Sequence, residues 1–158
     1  MKPSNIFVLS LLTALLICFN TDFSKAQVNN QQKSGLGLGV ILGEPTGASV
    51  KYWLGNNSAF DVGAAWSLTD RNEALHMHTD FLWHSWLKSE QGLAFYYGVG
   101  ARAIFADDAE AGLRVPLGLT YLFESIPLDL FLEAVPILDI APEAKLAGNG
   151  GVGLRYYF

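Results

Sequence analysis

The sequence predicts an all-β chain, an eight-stranded antiparallel transmembrane β-barrel after a cleaved signal peptide. Three observations carry that expectation. From Leu36 to Phe158 apolar residues recur at every second position, the period of a strand whose two faces meet different surroundings. Charged residues make up 16% of the chain and apolar ones 51%, whereas an average soluble domain is ~25% charged. Beyond the N-terminus no stretch approaches the ~18 or more consecutive apolar residues of a membrane-crossing helix, so a crossing would be made with strands.

The N-terminal segment reads as an export signal. Lys2 supplies a basic start, Ile6 to Phe19 form an apolar stretch, and Ser24-Lys25-Ala26 place small residues where a signal peptidase reads. Residues 1–26 are therefore expected to be removed, leaving a polar leader over 27–34 and a barrel domain over 35–158. The apolar stretch is short for a spanning anchor, and Leu15-Leu16-Ile17-Cys18 lacks the small residue of a lipidation site. Cys18 is the single cysteine, so the mature chain is expected to have no disulfide, thiol chemistry or cysteine-bound metal.

Eight alternating sets follow in order. They are Leu36 to Leu42, Ala48 to Leu54, Phe60 to Leu68, Leu75 to Leu87, Leu93 to Phe105, Leu113 to Phe123, Leu128 to Leu138 and Val152 to Phe158. Most approach the ~9–11 residues a tilted strand needs to cross a bilayer. An even number closes without leaving an unpaired backbone edge in lipid. The apolar face carries no charge. The opposite face carries Lys51, Asp61, Asp80, Arg102, Arg114, Glu124, Asp129, Glu133 and Arg155, a near balance that points to ion pairs filling a narrow lumen.

Period two alone also suits a soluble barrel with its apolar face inward. Three features favour the membrane form. The polar face is rich in glycine (Gly35, Gly37, Gly39, Gly63, Gly98, Gly100, Gly151, Gly153), as a narrow lumen requires. Tyr52, Phe60, Phe95, Tyr97, Tyr121, Phe123, Tyr156 and Phe158 gather at one end of the apolar face, as an interfacial girdle does. Short turns (residues 55–58, 88–91 and 124–127) alternate with longer connections (69–74, 106–112 and 139–150), although the connection at 43–47 is short for an outer loop. Pro116 and Pro136 fall inside strands, where each removes a ladder donor, and bulges are expected there.

The chain ends Gly151-Val152-Gly153-Leu154-Arg155-Tyr156-Tyr157-Phe158. This alternating strand with an aromatic last residue resembles the signal read by the barrel-assembly machinery, with Leu154, Tyr156 and Phe158 as its elements. The Gly-Leu-Gly-Leu-Gly-Val opening strand and the Gly-Glu-Pro-Thr-Gly turn are similar to those of a poorly characterised group of small outer-membrane β-barrels. The resemblance covers residues 34 to 158 and implies residence in the outer membrane of a Gram-negative cell.

The chemistry-bearing constellations are sparse. His76, His78 and Asp80 share one strand face and have transition-metal donor types, but a hydrogen-bonded lumen network is the plainer reading. His84-Ser85 resembles half of a hydrolase site, yet adjacent strand residues face opposite sides, and no Gly-x-Ser-x-Gly occurs. No cofactor is expected. The outer connections are acidic: Glu44, Asp70, Glu73, Asp107, Asp108, Glu110, Asp139 and Glu143 against Arg71 and Lys145. Such a rim repels nucleic acid and favours cations or a basic partner. The leading expectation is a non-enzymatic outer-membrane barrel, with membrane lipids and the assembly machinery as partners and a structural or surface-interaction role. A periplasmic lipocalin-like barrel with an apolar ligand and a lipid-modifying barrel enzyme are the alternatives.

Overall fold

A computed structural model describes residues 35–44, 46–67, 74–106 and 109–158; the expected signal peptide and leader lie outside them. The described chain is all strand and connection. The strands are β1 (Gly35–Glu44), β2 (Gly47–Trp53), β3 (Ser58–Ser67), β4 (Ala74–Trp86), β5 (Leu93–Phe105), β6 (Glu110–Arg114), β7 (Leu117–Leu122), β8 (Leu128–Ala141) and β9 (Lys145–Tyr157). Each pairs antiparallel with its neighbours, and β1 pairs with β9, so the sheet closes on itself. Segments β6 and β7 are two halves of one staved position between β5 and β8, which makes the ring eight-stranded.

The interruption between β6 and β7 has a specific cause. Val115 donates to the Pro136 carbonyl at 3.0 Å, and Gly98 donates to the Pro116 carbonyl at 2.9 Å. Each proline accepts but has no N–H to return the bond, so the ladder thins on both sides of one stave at the same level. The bulges expected at these prolines are absent. Arg114 faces Ile137 and Leu117 faces Ala134, an unbroken register across the gap. The register shift falls instead between Ala111 and Gly112, at the end of β6.

The alternation sets the faces as the sequence indicates. Leu38, Val40, Val99, Leu113, Leu117, Leu132, Leu154 and their period-two neighbours point out and are exposed. The inward face alternates with them and is buried. A ring this narrow accommodates a large inward side chain only where the opposing residue is small. The register meets that condition: Tyr157 lies opposite Gly37, His78 opposite Gly63, Tyr96 opposite Gly118 and Phe131 opposite Gly153. A Cβ at Gly37 would come within 2.6 Å of the Tyr157 ring.

One end carries the turns 54–57, 87–92 and 123–127 and both termini of the described chain; the other carries connections 45–46, 68–73, 106–109 and 142–144. The expected contrast between short and long connections is not found. The segment 139–150 is largely strand, with Asp139 opposite Lys145 and Val135 opposite Asn149, because alternation continues past Leu138 and ion pairs hold the extension. Two charges change place as a result. Asp139, assigned to an outer loop, lies on the inward face of β8 and is fully buried. Glu124, assigned to the inward face, is exposed in the 123–127 turn because β7 ends at Leu122.

Candidate functional site

The lumen is where the chain concentrates its chemistry, and it is layered. At the turn end Trp53, Ala59 and Tyr157 pack with Trp86 and Leu122 into an apolar floor. Trp86 donates its indole N–H to the Asn56 carbonyl at 2.9 Å, tying the floor to the β2–β3 turn. Aromatic rings on inward positions of β2, β4 and β9 therefore close the end at which the outward girdle also sits.

Above the floor lies a four-charge cluster. The Arg155 guanidinium pairs with Asp61 and with Asp129, the latter at 3.3 Å, and donates to Ser49 Oγ at 2.7 Å. The Ser49 hydroxyl in turn donates to Asp61 at 3.2 Å. Lys51 reaches Asp129 at 3.7 Å and donates to His84 Nε2 at 2.9 Å, with its ammonium 4.5 Å from the centre of the Trp53 ring. Asp129 also accepts from Thr120 and, at 3.2 Å, from the Tyr157 hydroxyl. Lys51, Asp129 and Arg155 are between 0% and 1% exposed. Charges removed from water to that degree persist only when each is paired and hydrogen-bonded, and here each has several partners.

The next layer joins β4, β5, β6 and β8. Arg114 pairs with Asp80 at 2.8 Å and with Glu133 at 3.1 Å. Glu133 accepts from the Tyr96 hydroxyl at 2.9 Å. Leu82, Tyr96 and Phe131 form an apolar cluster with Ile41, and the Phe131 ring lies 3.7 Å from the Arg155 guanidinium carbon. Toward the loop end Arg102 holds Asp139 through two bonds of 2.9 and 2.6 Å, the fork geometry that suits guanidinium and carboxylate. Glu110 bridges Arg102 at 3.8 Å and Lys145 at 2.9 Å.

These contacts assemble Lys51, Asp61, Asp80, Arg102, Arg114, Asp129, Glu133 and Arg155 into the lumen. Ser49, Tyr96, Thr120 and Tyr157, not singled out from the sequence, and Asp139, assigned there to an outer loop, complete it. Their signal was available, since each falls on the same alternating face as the charges. His76, His78 and Asp80 all lie along β4, with His78 Nε2 and Asp80 Oδ2 4.0 Å apart. No cluster of three or more ligating side chains able to hold a metal occurs among the described residues. A strand spaces its side chains in a line, and the carboxylate that β3 sets opposite Asp80, that of Asp61, is held by Arg155 and Ser49. His84 is buried and Ser85 is exposed on the opposite face, so they share no site. Leu154, Tyr156 and Phe158 lie exposed on the outward side.

At the loop end the acidic rim is only partly present among the described side chains. Glu110 and Asp139 are engaged by Lys145 and Arg102, and Glu143 is exposed. The Glu44 side chain and residues Asp70, Arg71, Glu73, Asp107 and Asp108 lie outside the described part.

No family model and no curated protein matches the sequence. Two solved structures share the fold. The N-terminal β-barrel domain of OprF from Pseudomonas aeruginosa aligns with a TM-score of 0.61 at 15% identity, over 81% of this chain and 100% of that one. Neisserial surface protein A aligns with a TM-score of 0.53 at 14% identity, over 78% of this chain and 93% of that one. Both are small outer-membrane β-barrels, and at these identities the likeness speaks to architecture.

Proposed function

We propose that this chain is a non-enzymatic integral β-barrel of the bacterial outer membrane, a rigid anchor that presents its loop-end segments at the cell surface. The observation that carries the reading is the inversion of its two faces. An exposed apolar wall, without a charged side chain among those described, surrounds a buried ion network. In water such a wall far exceeds the apolar patch a soluble monomer tolerates; in lipid it is the stable arrangement. The outward ring of Tyr52, Phe60, Trp83, Phe95, Tyr97, Tyr121, Tyr156 and Phe158 matches the depth-specific aromatic belt of an inserted barrel. Lipids would contact the wall, and the assembly machinery would read Leu154, Tyr156 and Phe158.

The lipocalin-like alternative requires an inward apolar face, and the inward face here carries Lys51, Asp61, Asp129 and Arg155. The lipid-modifying alternative requires a nucleophile beside a base, and the pair that prompted it, His84 and Ser85, is split between the two sides of the wall. Recognition would then belong to the loop end, where Glu143 and the acidic segments 68–73 and 106–109 offer a basic partner or a cation a negative rim.

Fractionation combined with gel mobility tests this reading. The protein is expected in detergent extracts of outer membranes, with an apparent size on SDS gels that changes on boiling. A protein recovered from the soluble periplasm, with the same mobility boiled and unboiled, contradicts it.

A further inference from the structure

The first strand is unusual in having no side chain on part of its inward face. Gly35, Gly37 and Gly39 alternate with the outward Leu36 and Leu38. What occupies that bare strip comes from the last strand. Tyr157 lies over Gly37, and Arg155 lies over Gly39, where an added Cβ would stand 2.7 Å from the Arg155 Cγ. Through this groove Arg155 passes β1 altogether and bonds Ser49 on β2 and Asp61 on β3.

The charges that meet there have two possible sets of partners. Lys51 faces Asp61 directly across the β2–β3 hairpin, and Asp129 faces Arg155 directly across β8–β9. Each of these two opposed pairs is neutral by itself, with its opposite charges already side by side. In the closed ring the pairing extends across the seam: Arg155 keeps Asp129 at 3.3 Å and adds Asp61, and Lys51 reaches Asp129 at 3.7 Å. The two added contacts join the N-terminal third of the ring to its C-terminal strands. They exist only once β1 has paired with β9, the one pairing that links the two ends of the described chain.

We infer that the glycine strip of β1 and the side chains laid across it form a closure lock for the β1–β9 seam: Gly37 and Gly39 admit Tyr157 and Arg155, and the cross-seam ion pairs added between two pre-paired hairpins fix the closed ring. This rests on the membrane-barrel reading above. It separates the residues that build hairpins from those that close the barrel, and it assigns Asp61 and Gly39 to the second group.

The test follows seam and hairpin separately while the full chain, carrying Cys18→Ser, refolds from urea into phosphatidylcholine vesicles. A Val40→Cys/Leu154→Cys pair reports the seam and a Val50→Cys/Val62→Cys pair reports the β2–β3 hairpin; both pairs are directly opposed and outward-facing. Asp61→Asn, which keeps the side chain's shape, is expected to slow seam crosslinking on the order of tenfold, the scale of one lost charge-assisted hydrogen bond. The hairpin crosslink loses only the cross-strand attraction to Lys51 and should slow much less. Gly39→Ala is expected to act in the same selective way through steric obstruction. If both variants slow the two crosslinks equally, or slow neither, the closure lock is wrong. A parent chain that forms neither crosslink in vesicles overturns the lock and the membrane-barrel reading together.

Discussion

In the turn-end half of the barrel, Lys51, Asp61, Asp129 and Arg155 share a fully buried cluster floored by Trp53 and Tyr157. In the loop-end half, Arg102, Asp139, Glu110 and Lys145 form a chain that starts buried and finishes half-exposed at Lys145. The same residue types serve both halves, but burial differs, and so does what each pair is worth. A desolvated pair is costly to break because the remaining partner is left as an uncompensated buried charge. A solvated pair is screened and contributes little. The closed half therefore acts as the fixed frame, while the Glu110–Lys145 end of the open half can vary in sequence without loss of the fold.

Substitutions ranked by expected effect sharpen that contrast. Arg155→Met leaves Asp61 and Asp129 facing each other in the closed half, and should cost about 3–5 kcal/mol in urea unfolding from vesicles. A loss comparable to that of a surface pair would mean that water reaches the cluster. Leu117→Arg puts a charge on the outward face in the middle of the β6–β7 stave. It should cost ~2–4 kcal/mol near the bilayer midplane and lower the amount of heat-modifiable protein in outer membranes; wild-type accumulation would refute the face assignment. Tyr96→Phe removes the hydroxyl bonded to Glu133 while Arg114 remains, so a smaller loss of about 1–2 kcal/mol is expected, measured by the same unfolding curve. Lys145→Ala, at the open end, should change stability by less than ~1 kcal/mol and leave the mobility shift intact. A large loss there would erase the distinction between the halves.

How much of this was legible in the sequence follows from the physics of a strand. Period two is a local property, so the eight sets, the outward Leu and aromatic residues, and the inward Lys51, Arg114 and Arg155 could be read directly. Strand ends are set by turns and by pairing, which alternation does not mark. Glu124 was therefore carried onto the wall, and Asp139 was left in a loop although its parity with Asp129 and Glu133 placed it inward. Pro136 looked like a bulge because a lone strand does not reveal which edge its missing donor faces. That donor faces the stave already interrupted at Pro116. Register was the least accessible property. The pairing of Arg155 with Asp61 depends on closure across β1, and nothing within β9 identifies β3 as its partner. The alternating glycines of β1 were read as a requirement of a narrow lumen; that they form the passage for Arg155 and Tyr157 emerges only from the closed ring.

The most direct test of the central claim, apolar wall outward and charge network inward, compares two tryptophans. Single-tryptophan variants retaining either Trp83, on the outward face, or Trp53, beneath Lys51 in the lumen, are reconstituted in vesicles of brominated phosphatidylcholine. Strong quenching of Trp83 with Trp53 little affected is the predicted result. Quenching of Trp53 with Trp83 spared would turn the barrel inside out and contradict the account.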